Sequence, residues 1–229
     1  MSFFNPNTPV IRDKQTALDV QDLCGLLRVH WQINQLQLFS AFYTRIDQVL
    51  LLWGCITSVI FLTAQFLPLS WQLQAIFWSS LTLVGVLAMS ALAWFWVKVE
   101  QLCWLVYTWS ALLLVGVGLT DGGIFLGWIP VLLNLCALWL GLSAIGYFLT
   151  GWGLRSRAFM LAGGLHVLGL LLLPFVPALP FLSTGIVMAG TLLFLAEVQW
   201  DMRSPTATAQ LTAEQQQFNR EQYQRRLAS

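Results

Sequence analysis

Residues 129–176 carry two apolar runs joined by a short polar link, Thr150-Gly-Trp-Gly-Leu-Arg-Ser-Arg157, and no small soluble core would accommodate both. A helix rises about 1.5 Å per residue, so each run is near the ~20 residues needed to cross ~30 Å of hydrocarbon. In lipid every backbone N–H and C=O must be satisfied within the segment, which selects spanning helices over lone strands. Arg155 and Arg157 then mark one face of the bilayer, and the other apolar runs can be oriented from them.

The remaining sequence agrees with a membrane setting. Of 229 residues, 58% are hydrophobic and 9% charged. A soluble domain typically has about 25% charged residues. The few basic residues lie close to the ends of the runs and form no broad basic face, which excludes nucleic acid as a partner and makes the lipid bilayer the first one. Cys24, Cys55, Cys103 and Cys136 are single and far apart, so they read as small packing residues, without zinc or iron–sulfur spacing. The first 47 residues hold acids, glutamines and prolines without a compact apolar h-region, so no cleavable signal peptide is expected.

Six spans are expected, at about residues 49–67, 75–97, 102–119, 129–149, 158–174 and 182–198. They make an all-α polytopic membrane protein, a six-helix bundle arranged as three helical hairpins. Residues 1–47 form an N-terminal segment with a membrane-surface helix, 48–203 the transmembrane domain, and 204–229 a polar tail. The odd-numbered connections contain no Lys or Arg. All 11 basic residues fall on the other side, and this positive-inside pattern places both termini on the cytoplasmic side. The hairpin rhythm has a period of about 50 residues, the length of a repeated helical pair.

Two polar stretches flank the bundle. Thr16 followed by Asp19 resembles a capping box, and a helix is expected from there to 47. The pattern is not purely helical, because Leu27, Val29, Trp31 and Ile33 alternate with Arg28, His30, Gln32 and Asn34 as a strand would. At the other end, Ser204-Pro-Thr-Ala-Thr reads as a linker, and Thr212 with Gln215 as a capping box opening a solvated tail helix to about residue 227.

Candidate functional residues are few. His166 stands nine residues beyond Arg157, roughly 13 Å along its helix by the helical rise and near mid-membrane. A neutral imidazole there can ligate haem iron or chlorophyll magnesium, or bond a neighbouring helix; a lone histidine favours the last, with Asn134 as partner. No cofactor or metal is therefore expected, with haem or chlorophyll at His166 as the alternative. Arg155, Arg157, Glu197 and Asp201 form an interfacial charge group in which the acids pair with arginines. Most of the 12 tryptophans, Trp53 and Trp96 among them, fall near span ends as an aromatic belt, while Trp78, Trp109 and Trp139 lie deeper and are expected to pack between helices, with packing against a flat pigment or quinone ring as the alternative. Asp121 in Thr-Asp-Gly-Gly reads as a turn former. No nucleophile elbow, P-loop, dinucleotide fingerprint or HExxH helix is present, so an enzyme is not expected.

Leu138-Trp-Leu-Gly-Leu-Ser-Ala-Ile-Gly-Tyr147, Gly153-Leu-Arg-Ser-Arg157 and Leu195-Ala-Glu-Val-Gln-Trp-Asp-Met202 resemble uncharacterised multi-spanning thylakoid membrane proteins of cyanobacteria. The resemblance implies a thylakoid or bacterial inner membrane location and association with photosynthetic complexes, and no site residues. A looser likeness, in the hairpin rhythm and Gly/Pro turns alone, is to bacterial six-helix proteins linked to acid resistance. The expected function is a non-enzymatic accessory or assembly factor that binds subunits of a larger membrane complex. The alternatives are a small-solute channel or transporter, and a pigment- or haem-binding protein.

Overall fold

Six long apolar helices account for most of the chain in the computed structural model, which describes residues 3–5, 8–33, 36–205 and 208–228. In chain order the elements are β1 (Ile11–Arg12), α1 (Val20–Leu23), β2 (Leu27–Ile33), β3 (Leu36–Tyr43), α2 (Arg45–Phe66), α3 (Trp71–Val99), α4 (Cys103–Leu126) and α5 (Ile129–Leu132). Then follow α6 (Leu135–Leu154), α7 (Arg157–Leu172), a 3-10 turn (Leu173–Phe175), α8 (Pro180–Glu197), β4 (Gln199–Trp200) and α9 (Ala213–Ala228). The spans are α2, α3, α4, α6, α7 and α8, so the chain is an all-α, multi-pass integral membrane protein. Side chains such as Leu87, 72% exposed, lie on the outer surface, where lipid rather than water is their solvent.

Local chemistry sets the helix ends. Thr44 and Asp47 form a reciprocal capping box that starts α2, and the Ser70 hydroxyl accepts from Leu73 N–H to start α3. Gly127, at φ +67, ends α4 in the left-handed conformation that glycine adopts without a Cβ penalty. Asp121 is therefore inside α4 and not in a turn: both its carboxylate oxygens accept from the Ser79 hydroxyl, at 3.0 and 2.8 Å. The stop signal is Gly127, and Gly122-Gly123 simply continues the helix. The fourth span is interrupted, because Leu133 and Asn134 separate α5 from α6. Between α6 and α7 the link shrinks to Arg155 and Ser156, where Arg155 itself takes the left-handed conformation at φ +54.

The spans close into a ring. Uncharged turns join α2 to α3, α4 to α6 and α7 to α8, as the three hairpins require, yet α7 leans mainly on α6 and α8 mainly on α2. Between α4 and α6 one device is used in both directions. Trp109 of α4 lies over Gly146 of α6 and donates Nε1–H to Thr150 Oγ1 at 2.9 Å. Trp139 of α6 lies over Gly116 of α4 and donates to Thr120 Oγ1 at 3.2 Å. Each threonine is one turn beyond its glycine, and each hydroxyl donates back to that glycine's carbonyl at 2.8 Å. A Cβ on Gly146 would stand 2.5 Å from the Trp109 ring, which is why the position is glycine. Trp78 uses the same kind of bond, to Thr63 Oγ1 at 3.0 Å. These three deeper tryptophans thus pack between helices.

The terminal segments differ from expectation. Residues 27–43 form an antiparallel β-hairpin instead of a helix, with Leu27 opposite Tyr43 and Val29 opposite Ala41. The alternation at 27–33 was the controlling signal, and the partner strand is the segment that follows it; Asn34, the last residue of that alternation, lies outside the described residues. Helix α1 has only four residues, and Asp19, not Thr16, is its N-cap residue, its side chain making no capping bond to the helix. The tail is not a solvated helix. Its capping box forms as expected, with Thr212 N–H donating to Gln215 Oε1 at 2.9 Å and Gln215 N–H to Thr212 Oγ1 at 3.3 Å, but α9 docks, burying Asn219, Gln222 and Arg226. The expected linker at 204–208 includes residues 206 and 207, outside the described residues.

Candidate functional site: the terminal cap and the cavity beneath it

All the basic residues lie at one end of the bundle, where the chain enters α2, leaves α3, turns from α6 to α7 and leaves α8. Both terminal segments meet there. β1 pairs with β4, matching Ile11 with Trp200 and Arg12 with Gln199, so the chain's two ends are stitched together over the ring.

Four sequence-identified charges sit in this cap. Asp201 is buried and accepts four hydrogen bonds: Oδ1 from Ser156 Oγ at 3.0 Å and Ala158 N at 3.1 Å, and Oδ2 from Arg157 N at 3.1 Å and Arg157 Nε at 2.8 Å. It therefore caps α7 from outside that helix and neutralises Arg157 at once. Arg157 also donates to the Thr8 carbonyl, tying in the N-terminal segment. The acid–arginine pairing holds for Asp201. Glu197 differs: it accepts from the Tyr43 hydroxyl at 2.9 Å, and burial together with this carboxylate pushes the phenol up to about 12. Arg155 lies over the Phe3 ring, 5.3 Å from its centroid.

A second group was not foreseen. Arg226 of α9 donates to Asp19 Oδ2 and to the Ala17 carbonyl, both at 2.8 Å. Asn219 accepts from Val20 N–H at 2.8 Å and donates to Gln21 Oε1 at 2.9 Å; Gln21 passes the chain on to Glu100 Oε1 at 2.9 Å. Trp96 donates to Asp22 Oδ1 at 2.9 Å. Arg203 donates to the Glu100 carbonyl and approaches its carboxylate at 3.9 Å. Burial, and then the neighbouring Asp19, pushes Asp22 up to about 7, while burial raises Glu100 to about 7 against the pull of Arg203. The available signal was complementarity: an acid- and amide-bearing stretch at 19–22 and a Gln/Arg-rich tail with its own capping box.

Beneath the cap lies a cavity of about 150 Å³, to which all six spans contribute. It shares Ile46, Trp96 and Trp200 with a cavity of about 80 Å³ inside the cap, and Trp53, Thr57, Leu113 and Met188 with one of about 50 Å³ further along the axis. Trp53 and Trp96 are thus buried wall residues, not members of an interfacial belt. His166 lines the central cavity, fully buried, with its ring 4.7 Å from that of Tyr147 and Nδ1 donating to the Ala162 carbonyl at 2.8 Å. Asn134 is not its partner: it is exposed in the break before α6 and donates to the Pro130 carbonyl at 2.9 Å. The cavity is half the ~300 Å³ at which pockets for drug-sized ligands begin, too small as it stands for a haem or chlorophyll ring. No group of three His, Cys, Asp or Glu placed to hold a metal occurs among the described residues.

Comparison with protein-family models, with curated proteins and with solved structures finds no match for this chain.

Proposed function

We propose that this integral membrane protein acts by contact, as a non-enzymatic accessory or assembly factor of a larger membrane complex. The observation that carries the reading is the β2–β3 hairpin. It is anchored at its base, where Gln48 Nε2 donates to the Gly25 and Tyr43 carbonyls at 2.9 and 3.1 Å and Lys14 Nζ to the Phe42 carbonyl at 3.1 Å. Beyond that base its two strands pair only with each other among the described residues, leaving both outer edges open, with Leu27 and Val29 exposed. An open strand edge is a template for another chain, and soluble proteins usually blunt it. The positive-inside distribution supports a cytoplasmic-side position for the hairpin. The likeness to thylakoid proteins makes photosynthetic complexes the first partners to try.

The test is gentle extraction from native membranes followed by a native gel. Co-migration with a large complex is expected, and it should be lost when residues 27–42 are replaced by a short Gly-Ser linker in a chain that still enters the membrane. A wild-type particle of monomer size would contradict the reading. A second reading, a small-solute channel or transporter, is favoured by the axial row of three cavities. It predicts solute flux in liposomes containing the protein alone.

A further inference from the structure

Two residues that line the central cavity each carry a buried polar atom left unmatched by the fold. Because the His166 Nδ1–H is given to the Ala162 carbonyl, Nε2 of the neutral ring presents a lone pair, and no donor meets it among the described residues. Trp53 has the opposite need. It is 9% exposed, and its Nε1–H has no acceptor.

The packing explains why. Trp109 and Trp139 each cover a glycine and bond a threonine one turn further on. Trp53 likewise covers Gly85, whose Cβ would stand 3.0 Å from the ring, but the residue one turn on is Met89. The bundle's device is present there without its hydroxyl, at a residue that also lines the cavity.

We propose that the central cavity binds a small single-ring molecule carrying one hydroxyl group, a phenol in chemical class. A hydroxyl donates once and accepts as well, so it matches both needs: its O–H donates to His166 Nε2, and its oxygen accepts from Trp53 Nε1–H. Size points the same way. An apolar cavity of about 150 Å³ takes a molecule of benzene's size. The remaining wall is chiefly carbon, with Trp109, Tyr147 and Phe159 offering ring faces and edges, and Trp96 and Trp200 dividing the site from the polar cap.

Fluorine NMR tests the site. Full-length protein in detergent micelles is titrated with para-fluorophenol and, separately, with para-fluorotoluene, each against empty micelles. Saturable binding at one site per chain is expected, with the phenol about tenfold tighter after correction for micelle partitioning, the effect of one ordinary net hydrogen bond. His166→Leu should reduce that preference to about twofold or less while toluene binding persists. Met89→Thr, which gives Trp53 the acceptor its counterparts have, should also lower the preference and serves if the histidine variant does not fold. Equal affinity for the two probes in the wild type, or no saturable binding, overturns the proposal and leaves the cavity to water or to nothing.

Discussion

Trp109, between α4 and α6, makes one hydrogen bond and otherwise meets a glycine, aromatic rings and aliphatic carbon; Asp201, at the basic end, accepts four hydrogen bonds from a single helix start. The contrast runs through the molecule. Between the spans, lipid competes for apolar surface as well as protein does, so close approach over small residues and an occasional hydrogen bond define the fit. In the cap, charges are withdrawn from water, and each must find a partner or change its protonation. The spans should therefore answer to volume and the cap to charge.

The largest effect is expected at Asp201. Asp201→Ala leaves the Arg157 and Ala158 N–H groups at the start of α7 without their acceptor and Arg157 without its carboxylate, and removing one partner from a buried ion pair costs about 3–5 kcal/mol. Arg157 is partly exposed, so the lower figure is the one to expect, read as earlier thermal unfolding in detergent. Next comes volume. Gly146→Ala drives a methyl into the Trp109 ring, and such overpacking costs about 1–3 kcal/mol, whereas Gly141→Ala, where nothing lies within 4 Å, should be neutral in the same assay. The smallest effect is the bond alone: Thr150→Val removes the Trp109 acceptor at nearly constant volume and should cost about 0.6 kcal/mol. A larger loss from Thr150→Val than from Gly146→Ala would break the comparison.

How much of this was legible in the sequence follows the same division. Span count and the gathering of charge at one end could be read because a bilayer imposes length and polarity on each helix separately. Asp121 was misplaced because its Thr-Asp-Gly-Gly setting resembles a turn, while its helical position is secured by Ser79 of the neighbouring helix. The hairpin was misassigned although Leu27 to Ile33 alternate visibly, because the case for a strand lay in the next segment. The Arg226–Asp19 and Asn219–Gln21–Glu100 contacts link residues far apart along the chain, and no local pattern announces such pairs. His166 was found by the cost of its burial; Trp53, lacking a threonine that its counterparts have, was visible only once the Trp–Gly–Thr device had been seen in three dimensions.

The docked tail is the account's central claim, and hydrogen exchange of α9 in the full-length protein tests it most directly. Burial holds Asp22 and Glu100 near 7, well above ordinary carboxylates, so the folded cap binds protons that the undocked chain releases. Their contribution is fully present below about pH 4 and is lost as pH rises through about 7. After correction for intrinsic exchange rates, the amides of α9 should be strongly protected at pH 5 and less so at pH 8, with Arg226→Ala lowering protection at both. Exchange at the rate of a free helix-forming peptide at both pH values would contradict the cap.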